Sequence, residues 1–211
     1  MNEKYEINQL PLGALIPFKN HPFKVIENEE LNTLAQSIRE SGVLVPALAR
    51  PAGDRYELIS GHRRLAACKL LGLPTIPVIV RDLTDAEAII TMVDANLQRE
   101  HILPSEKAFA YKMKMEAMKH QGQASRQVGT MSRTDQQIAK ESKDSARQIQ
   151  RYIRLTNLIP EILDMVDNKE IALTPAVELS YLTKWEQQTL YKIMQMDCAT
   201  PSLSQAQRMR R

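Results

Sequence analysis

The apolar positions of the first hundred residues switch repeatedly between the period of a strand and that of a helix. Ile7-Asn8-Gln9-Leu10 and Leu12 to Ile16 read as short strands punctuated by Pro11 and Pro17. Leu31, Leu34, Ala35 and Ile38 fall at i, i+3, i+4 and i+7, which predicts an amphipathic helix ending near Ser41-Gly42. Val43 to Arg50 is extended but contains Pro46, so it reads as an edge strand. Pro51-Ala52-Gly53-Asp54 turns the chain, and Arg55–Ile59 returns as the hairpin partner. Leu65, Ala66 and Leu70 restore helical spacing up to a stop at Gly72, and Thr75 to Val80 is a further strand. Thr84-Asp85-Ala86-Glu87 has the form of a capping box and opens a helix to about Leu97.

Beyond residue 100 the strand period disappears. Pro104-Ser105-Glu106 starts a helix to about Gln121, with Phe109, Met113 and Ala117 along one side. Gln121 to Arg133 is almost free of apolar residues and reads as a mobile, basic loop. Thr134…Gln137, Ser145…Gln148 and Thr183…Glu186 fit capping boxes, and Thr174-Pro175 reads as an N-cap with proline at N1. The pattern predicts a mixed α/β module over residues 1–100 and an all-helical module over 101–211.

Charge sharpens this division. The net charge is +3, yet residues 101–159 hold 11 lysines and arginines against 5 acidic residues, while the flanking segments are slightly acidic. A concentrated excess of this kind is expected of one module that meets a polyanion. No apolar run approaches a bilayer span, and Met1 to Glu6 lacks a signal-peptide layout, which implies a cytoplasmic protein with no membrane partner. Cys68 and Cys198 lie far apart without metal-ligand spacing, so neither a disulfide framework nor a protein zinc site is expected.

Candidate chemistry gathers at two stretches. Ile59-Ser60-Gly61-His62-Arg63-Arg64-Leu65 reads as the end of a strand, a glycine turn and a helix that opens on two arginines. Cations oppose the dipole at a helix start, so Arg63 and Arg64 there point to a phosphate that would satisfy both the dipole and the guanidiniums. One arginine paired with an acidic neighbour and the other in water would fit equally well. Thr134 to Leu155 has the layout of a helix-turn-helix: Ile138 and the small Ala139 face inward, Lys143-Asp144 turns, and a second helix buries Ile149, Tyr152 and Ile153. That second helix would offer Arg147, Gln148, Gln150 and Arg151 to a major groove, flanked by Thr134, Gln136, Ser145 and Arg154. Lys143 stands where glycine is common, and a left-handed φ there would cost about 1 kcal/mol. A plain helical hairpin with a solvated basic face would show the same pattern.

Gly61-His62-Arg63-Arg64, then Asn96-Leu97-Gln98-Arg99-Glu100 followed by Leu103-Pro104-Ser105-Glu106, then the helix-turn-helix, together resemble the ParB family of partition proteins from about Ile7 to Ile171. The resemblance implies an α/β nucleotide-binding domain, a helix-turn-helix domain and a following dimerisation domain. It also implies CTP with Mg²⁺ as cofactors and a homodimeric clamp on an inverted-repeat double-stranded DNA site, associated with nucleoid or plasmid. A ParA-type ATPase partner and CTP hydrolysis belong to the same pattern. Gly61, Arg63 and Arg64 match its phosphate turn, with His62 inside it. Asn96, Gln98 and Arg99 match its second nucleotide motif, and Gly42-Val43-Leu44 with Pro46 its base pocket. His62 replaces the family's usual glutamate, Ala95 an acidic residue that helps hold the metal, and Val45 a glutamine. These departures mark a divergent member, such as one from a plasmid or mobile element. They keep open a transcriptional or copy-number regulator without nucleotide switching, while a kinase or nuclease on the same fold is the other alternative. No catalytic residue is assigned. The tail from Ser204 to Arg211 reads as the start of another basic helix, and Lys4 is the only base in the first ten residues.

Overall fold

The computed structural model describes residues 6–23, 25, 27–99, 101–124 and 134–210. Glu100 and most of the basic loop predicted at 121–133 fall outside the described residues, as does Lys4. The chain divides into two compact units, Met1–Asn96 and Leu97–Arg211.

The first unit is a mixed sheet with helices. Its strands are β1 (Ile7–Pro11), β2 (Leu15–Pro17), β3 (Ala47–Ala52), β4 (Arg55–Ser60) and β5 (Thr75–Val80), in the spatial order β1-β5-β3-β4-β2. β1 runs antiparallel to β5 and β3 antiparallel to β4, whereas β5 with β3 and β4 with β2 are parallel. A 3-10 turn at Leu12–Ala14 takes the place of the first half of the second strand expected at Leu12 to Ile16. The predicted edge strand is in fact central. Pro46 precedes it, and Pro51 lies past Ala49, where pairing to β5 ends, so the missing N–H of proline interrupts no ladder on that side.

Helices α1 (Glu29–Ser41) and α2 (His62–Leu70) share one core with the sheet. Leu31, Ala35 and Ile38 from α1 and Leu65, Ala67 and Cys68 from α2 meet Ala47, Ala49, Leu58, Ile76 and Val78, which alternate along their strands. Asn28 caps α1 by accepting from the Leu31 N–H at 3.1 Å, and Gly42 closes it at φ 71°. Helix α3 (Asp85–Leu97) opens on the capping box read from the sequence: Thr84 Oγ1 accepts from the Glu87 N–H, and the Glu87 carboxylate accepts from the Thr84 N–H at 3.0 Å.

The second unit is all helical: α4 (Pro104–Ala124), α5 (Thr134–Glu141), α6 (Ala146–Leu155), α7 (Pro160–Asp167), α8 (Leu173–Leu179), α9 (Lys184–Asp197) and α10 (Leu203–Met209). A large core from Leu155, Leu158, Ile162, Val166, Leu179 and Leu190 ties α6 to α9, and a smaller one joins Tyr111, Ile138 and Ile149. Asp167 holds the start of α4 by accepting from Ser105 N–H at 2.9 Å and from its hydroxyl. Thr183–Glu186 and Ser202–Gln205 are complete capping boxes. Helix α8 begins earlier than predicted, with Ala172 as its N-cap and Pro175 in its first turn. On α4, Phe109 points out and Lys114 is 1% exposed, held by Glu141 at 2.7 Å, so the buried side of this helix is not the one its aromatic residue marks. Among the described residues no helix is long and apolar enough to cross a membrane.

Candidate functional site

The turn between β4 and α2 is fixed by two constraints on one residue. Gly61 has φ 104° and ψ 20°, a region L side chains rarely adopt. A Cβ there would also lie 2.8 Å from Ala47 Cβ on the central strand. No side chain caps α2, and its first turn holds no acid, so its amides and dipole face outward without an internal anion.

The two arginines of that turn do different things. Arg63 pairs with Glu30 at 3.0 Å, with both side chains substantially exposed, a contact worth at most about 1 kcal/mol and easily exchanged for a stronger anion. Arg64 has no carboxylate partner among the described residues; it donates to the carbonyls of Val45 and, at 2.7 Å, Pro46. Burial lowers the pKa of its guanidinium from the ordinary value. Arg64 therefore pins the loop 43–46 beside the helix mouth, where Leu44 and Val45 stand 79% and 64% exposed as an apolar lip. His62 packs against His21, with ring centroids 4.0 Å apart and ring planes tilted by 48°, and His21 Nδ1 donates to the Phe23 carbonyl at 2.7 Å, which anchors the preceding loop to the start of α2.

The second motif is divided. Asn96 is buried, its amide donating to the Met92 carbonyl at 2.8 Å within α3. Ala95, beside it, is exposed and offers no oxygen. Among the described residues no three His, Cys, Asp or Glu side chains form a metal-binding group. Gln98 and Arg99 belong to the helical unit, where they line a pocket of about 420 Å³ with α4 and the α5–α6 turn.

Helices α5 and α6 cross over Ile138 and Ile149, both fully buried, with Ala139, Tyr152 and Ile153 partly buried. Lys143 needs no left-handed backbone: the described non-glycine residues with positive φ are Asn20, Lys169 and Cys198, so the expected strain at the turn is absent. Ser145 caps α6 by accepting from the Gln148 N–H at 3.2 Å. Several residues read as DNA contacts make hydrogen bonds inside the unit. Gln150 donates to buried Asp135 at 3.1 Å, and Arg151 donates to Gln148 at 3.1 Å and to the Thr174 hydroxyl at 2.6 Å. Arg154 donates to the Ser180 carbonyl at 3.0 Å and lies 3.8 Å from the Tyr181 ring centroid. Arg147 and Gln136 are exposed, Thr134 and Gln148 half-buried. Lys140 and Lys143, which were not among the expected DNA contacts, extend the exposed basic surface across the turn.

Beneath that turn, Asp144 accepts from Lys107 at 3.1 Å and from the Tyr111 hydroxyl at 2.7 Å. Burial, with the Asp144 contact, pushes the Tyr111 phenol above its ordinary value of 10.0. Because the folded state holds this proton more tightly, its contribution is complete below the unfolded tyrosine pKa and is lost as the pH rises through the folded value. Urea denaturation between about pH 8 and 11 is expected to show the helical unit weakening only at the alkaline end, and Tyr111→Phe is expected to flatten that decline.

Residues 1–97 match the ParB N-terminal domain family. The chain carries a ParB N-terminal domain. Over 163 residues it is 38% identical to the chromosome-partitioning protein Spo0J of Thermus thermophilus, a stretch covering 77% of this chain and 55% of that protein. A probable chromosome-partitioning protein ParB of Borreliella burgdorferi is 33% identical over 176 residues, covering 83% of this chain and 63% of that protein. The chain thus spans little more than half of the first relative's length. The fold of the ParB N-terminal domain with a helical unit also matches the crystal structure of C-terminally truncated ParB from Caulobacter crescentus complexed to the centromeric parS site. The TM-score is 0.57 at 24% identity, over 96% of this chain and 97% of that one.

Proposed function

We propose that this chain is a sequence-specific DNA-binding partition protein of the ParB type, gated by a nucleotide at the Gly61 turn. The observation that carries the DNA part is the tight α5–α6 pair, in which Ser145 caps α6 and exposed Arg147 follows at its first turn. Its place in the segment of net +6, and the partition function named for the Thermus relative, support that assignment. Arg147 and Gln148 are the proposed base readers, with Thr134 and Gln136 beside them. Ser145, Gln150, Arg151 and Arg154 position α6.

At the other unit, the uncapped, acid-free start of α2 is the proposed phosphate site. Gly61 lets the backbone approach the phosphates, and Arg63 leaves Glu30 for them. His62 supports the turn, and Arg64 holds Leu44 and Val45 as one wall for the base. CTP is the nucleotide proposed, from the resemblance of these motifs to the family. A homodimer on an inverted repeat, with closure on nucleotide binding and a ParA-type ATPase as partner, completes the reading. Ala95, which offers no oxygen where the family has an acidic residue, favours as the second reading a transcriptional or copy-number regulator that has lost nucleotide switching.

Selection from random duplexes tests the DNA part. An inverted repeat is the expected product, and Arg147→Ala is expected to lower discrimination at one position of each half-site by ~1–3 kcal/mol. Recovery of no preferred sequence would remove the DNA-reading role of α6.

A further inference from the structure

Gln148 does not meet the solvent with both ends of its amide. Arg151, one turn further along α6, donates to the Gln148 side-chain oxygen at 3.1 Å and to the Thr174 hydroxyl at 2.6 Å. Arginine carries donors only, so Gln148 must turn its oxygen, and not its NH₂, toward the guanidinium. The NH₂ is left as the end that can meet a base. An i, i+3 pair on a helix face is weak by itself. Thr174, exposed in the first turn of α8, ties the guanidinium down from a second helix. That tether removes rotamer freedom that the arginine would otherwise lose on pairing with Gln148.

We infer that Thr174 and Arg151 set the base preference of α6 without reading a base themselves: they hold Gln148 as a donor, so that it selects guanine over adenine. A bidentate grip on adenine needs the glutamine oxygen to accept from N6 while its NH₂ donates to N7. With the oxygen turned back to Arg151, that grip is lost. Guanine instead offers two neighbouring acceptors in the major groove, N7 and O6, which the two amide hydrogens can satisfy. Thr174 and Arg151 are therefore positioning residues, and Arg151, drawn toward α8, is withdrawn from guanine recognition of its own. The inference rests on α6 being the reading helix.

Selection from random duplexes, run in parallel on full-chain variants, is the test. Gln148→Ala marks the position that Gln148 reads, as the one where discrimination is lost. There the unaltered protein is expected to select guanine. Arg151→Met, which frees the Gln148 oxygen, is expected to shift the guanine-to-adenine ratio toward adenine by about tenfold or more. Thr174→Val keeps the shape of the side chain but removes the acceptor, and is expected to shift the ratio the same way by about threefold. Thr174→Ser, which keeps the hydroxyl, is expected to retain guanine. A general loss of folding or affinity would weaken all duplexes alike and leave the ratio unmoved, so the ratio separates positioning from packing. Any base but guanine selected by the unaltered protein would overturn the proposal, as would a ratio unmoved by Arg151→Met or no position marked by Gln148→Ala. Movement by Arg151→Met alone would overturn the role of Thr174. If the unaltered protein selects no sequence, α6 is not the reading helix and the inference falls with that reading.

Discussion

Gly61→Ala is expected to cost the first unit roughly 3 kcal/mol, with loss of the α2 mouth as a binding surface. The added Cβ would lie 2.8 Å from Ala47 Cβ and 3.2 Å from Ala47 Cα, and Ala47 is fully buried on the central strand β3. Backbone cannot yield as the tip of a flexible side chain could, so either β3 shifts or α2 lifts. The φ of 104° adds strain whatever room is made. Two other glycines separate these causes. Gly53→Ala, at φ 66° with open space around it, is expected to show the backbone strain alone, about 1 kcal/mol. Gly13→Ala, with neither constraint, should be close to neutral. Hydrogen exchange at the amides of β3 and β4 is the measurement, because it reports this unit without averaging over the helical one. Protection in Gly61→Ala equal to that in Gly53→Ala would mean that the close approach to Ala47 is not a constraint in solution.

Gln187→Leu is expected to destabilise the second unit by about 3 kcal/mol, although it replaces one buried side chain with another of similar size. The amide of Gln187 is fully buried and completes three contacts. Its oxygen accepts from the Ile159 N–H at 2.8 Å, and its nitrogen donates to the carbonyls of Asn157 at 3.1 Å and Leu182 at 2.9 Å. Leucine would leave a donor and an acceptor without these partners, each at about 1–3 kcal/mol; the Asn157 carbonyl would keep Lys184 at 2.8 Å. Residues 157–159 follow directly on α6, so the loss should also loosen the end of the proposed reading helix. DNA affinity is expected to fall in parallel, with nucleotide binding unchanged. Thermal denaturation monitored by circular dichroism checks it against the exposed Gln188→Leu, expected to be near neutral.

The elements whose cause is local were legible in the sequence. The Gly53 hairpin, the Gly61 turn, the Thr84–Glu87 box and the apolar spacing of Ile138 and Ile149 depend on neighbours within a few residues, and pattern reading finds them. What was hidden depends on distant partners. The place of β3 at the sheet centre is set by its pairing with β5, about thirty residues on, which Pro46 gives no hint of. Arg151 and Arg154 look like outward cations on a helical wheel, yet Thr174 and Ser180 turn both toward α8. The wheel gives the direction of Cβ, and a long side chain has the reach to choose another destination. Lys114 has the same lesson in reverse: a residue type that signals solvent is buried because Glu141 lies opposite it. At the candidate phosphate site the sequence left open whether Arg63 and Arg64 both face a phosphate or one of them pairs with an acidic neighbour. The structure separates them, one held by a surface carboxylate and one by two backbone carbonyls.

Calorimetric titration with CTP, beside ATP and GTP, tests most directly whether the Gly61 turn is a nucleotide site. CTP is expected to bind at one per chain. Arg63→Ala is expected to weaken the interaction at least about tenfold. Absence of binding by any nucleotide, or undiminished binding by Arg63→Ala, would contradict a nucleotide site at this turn.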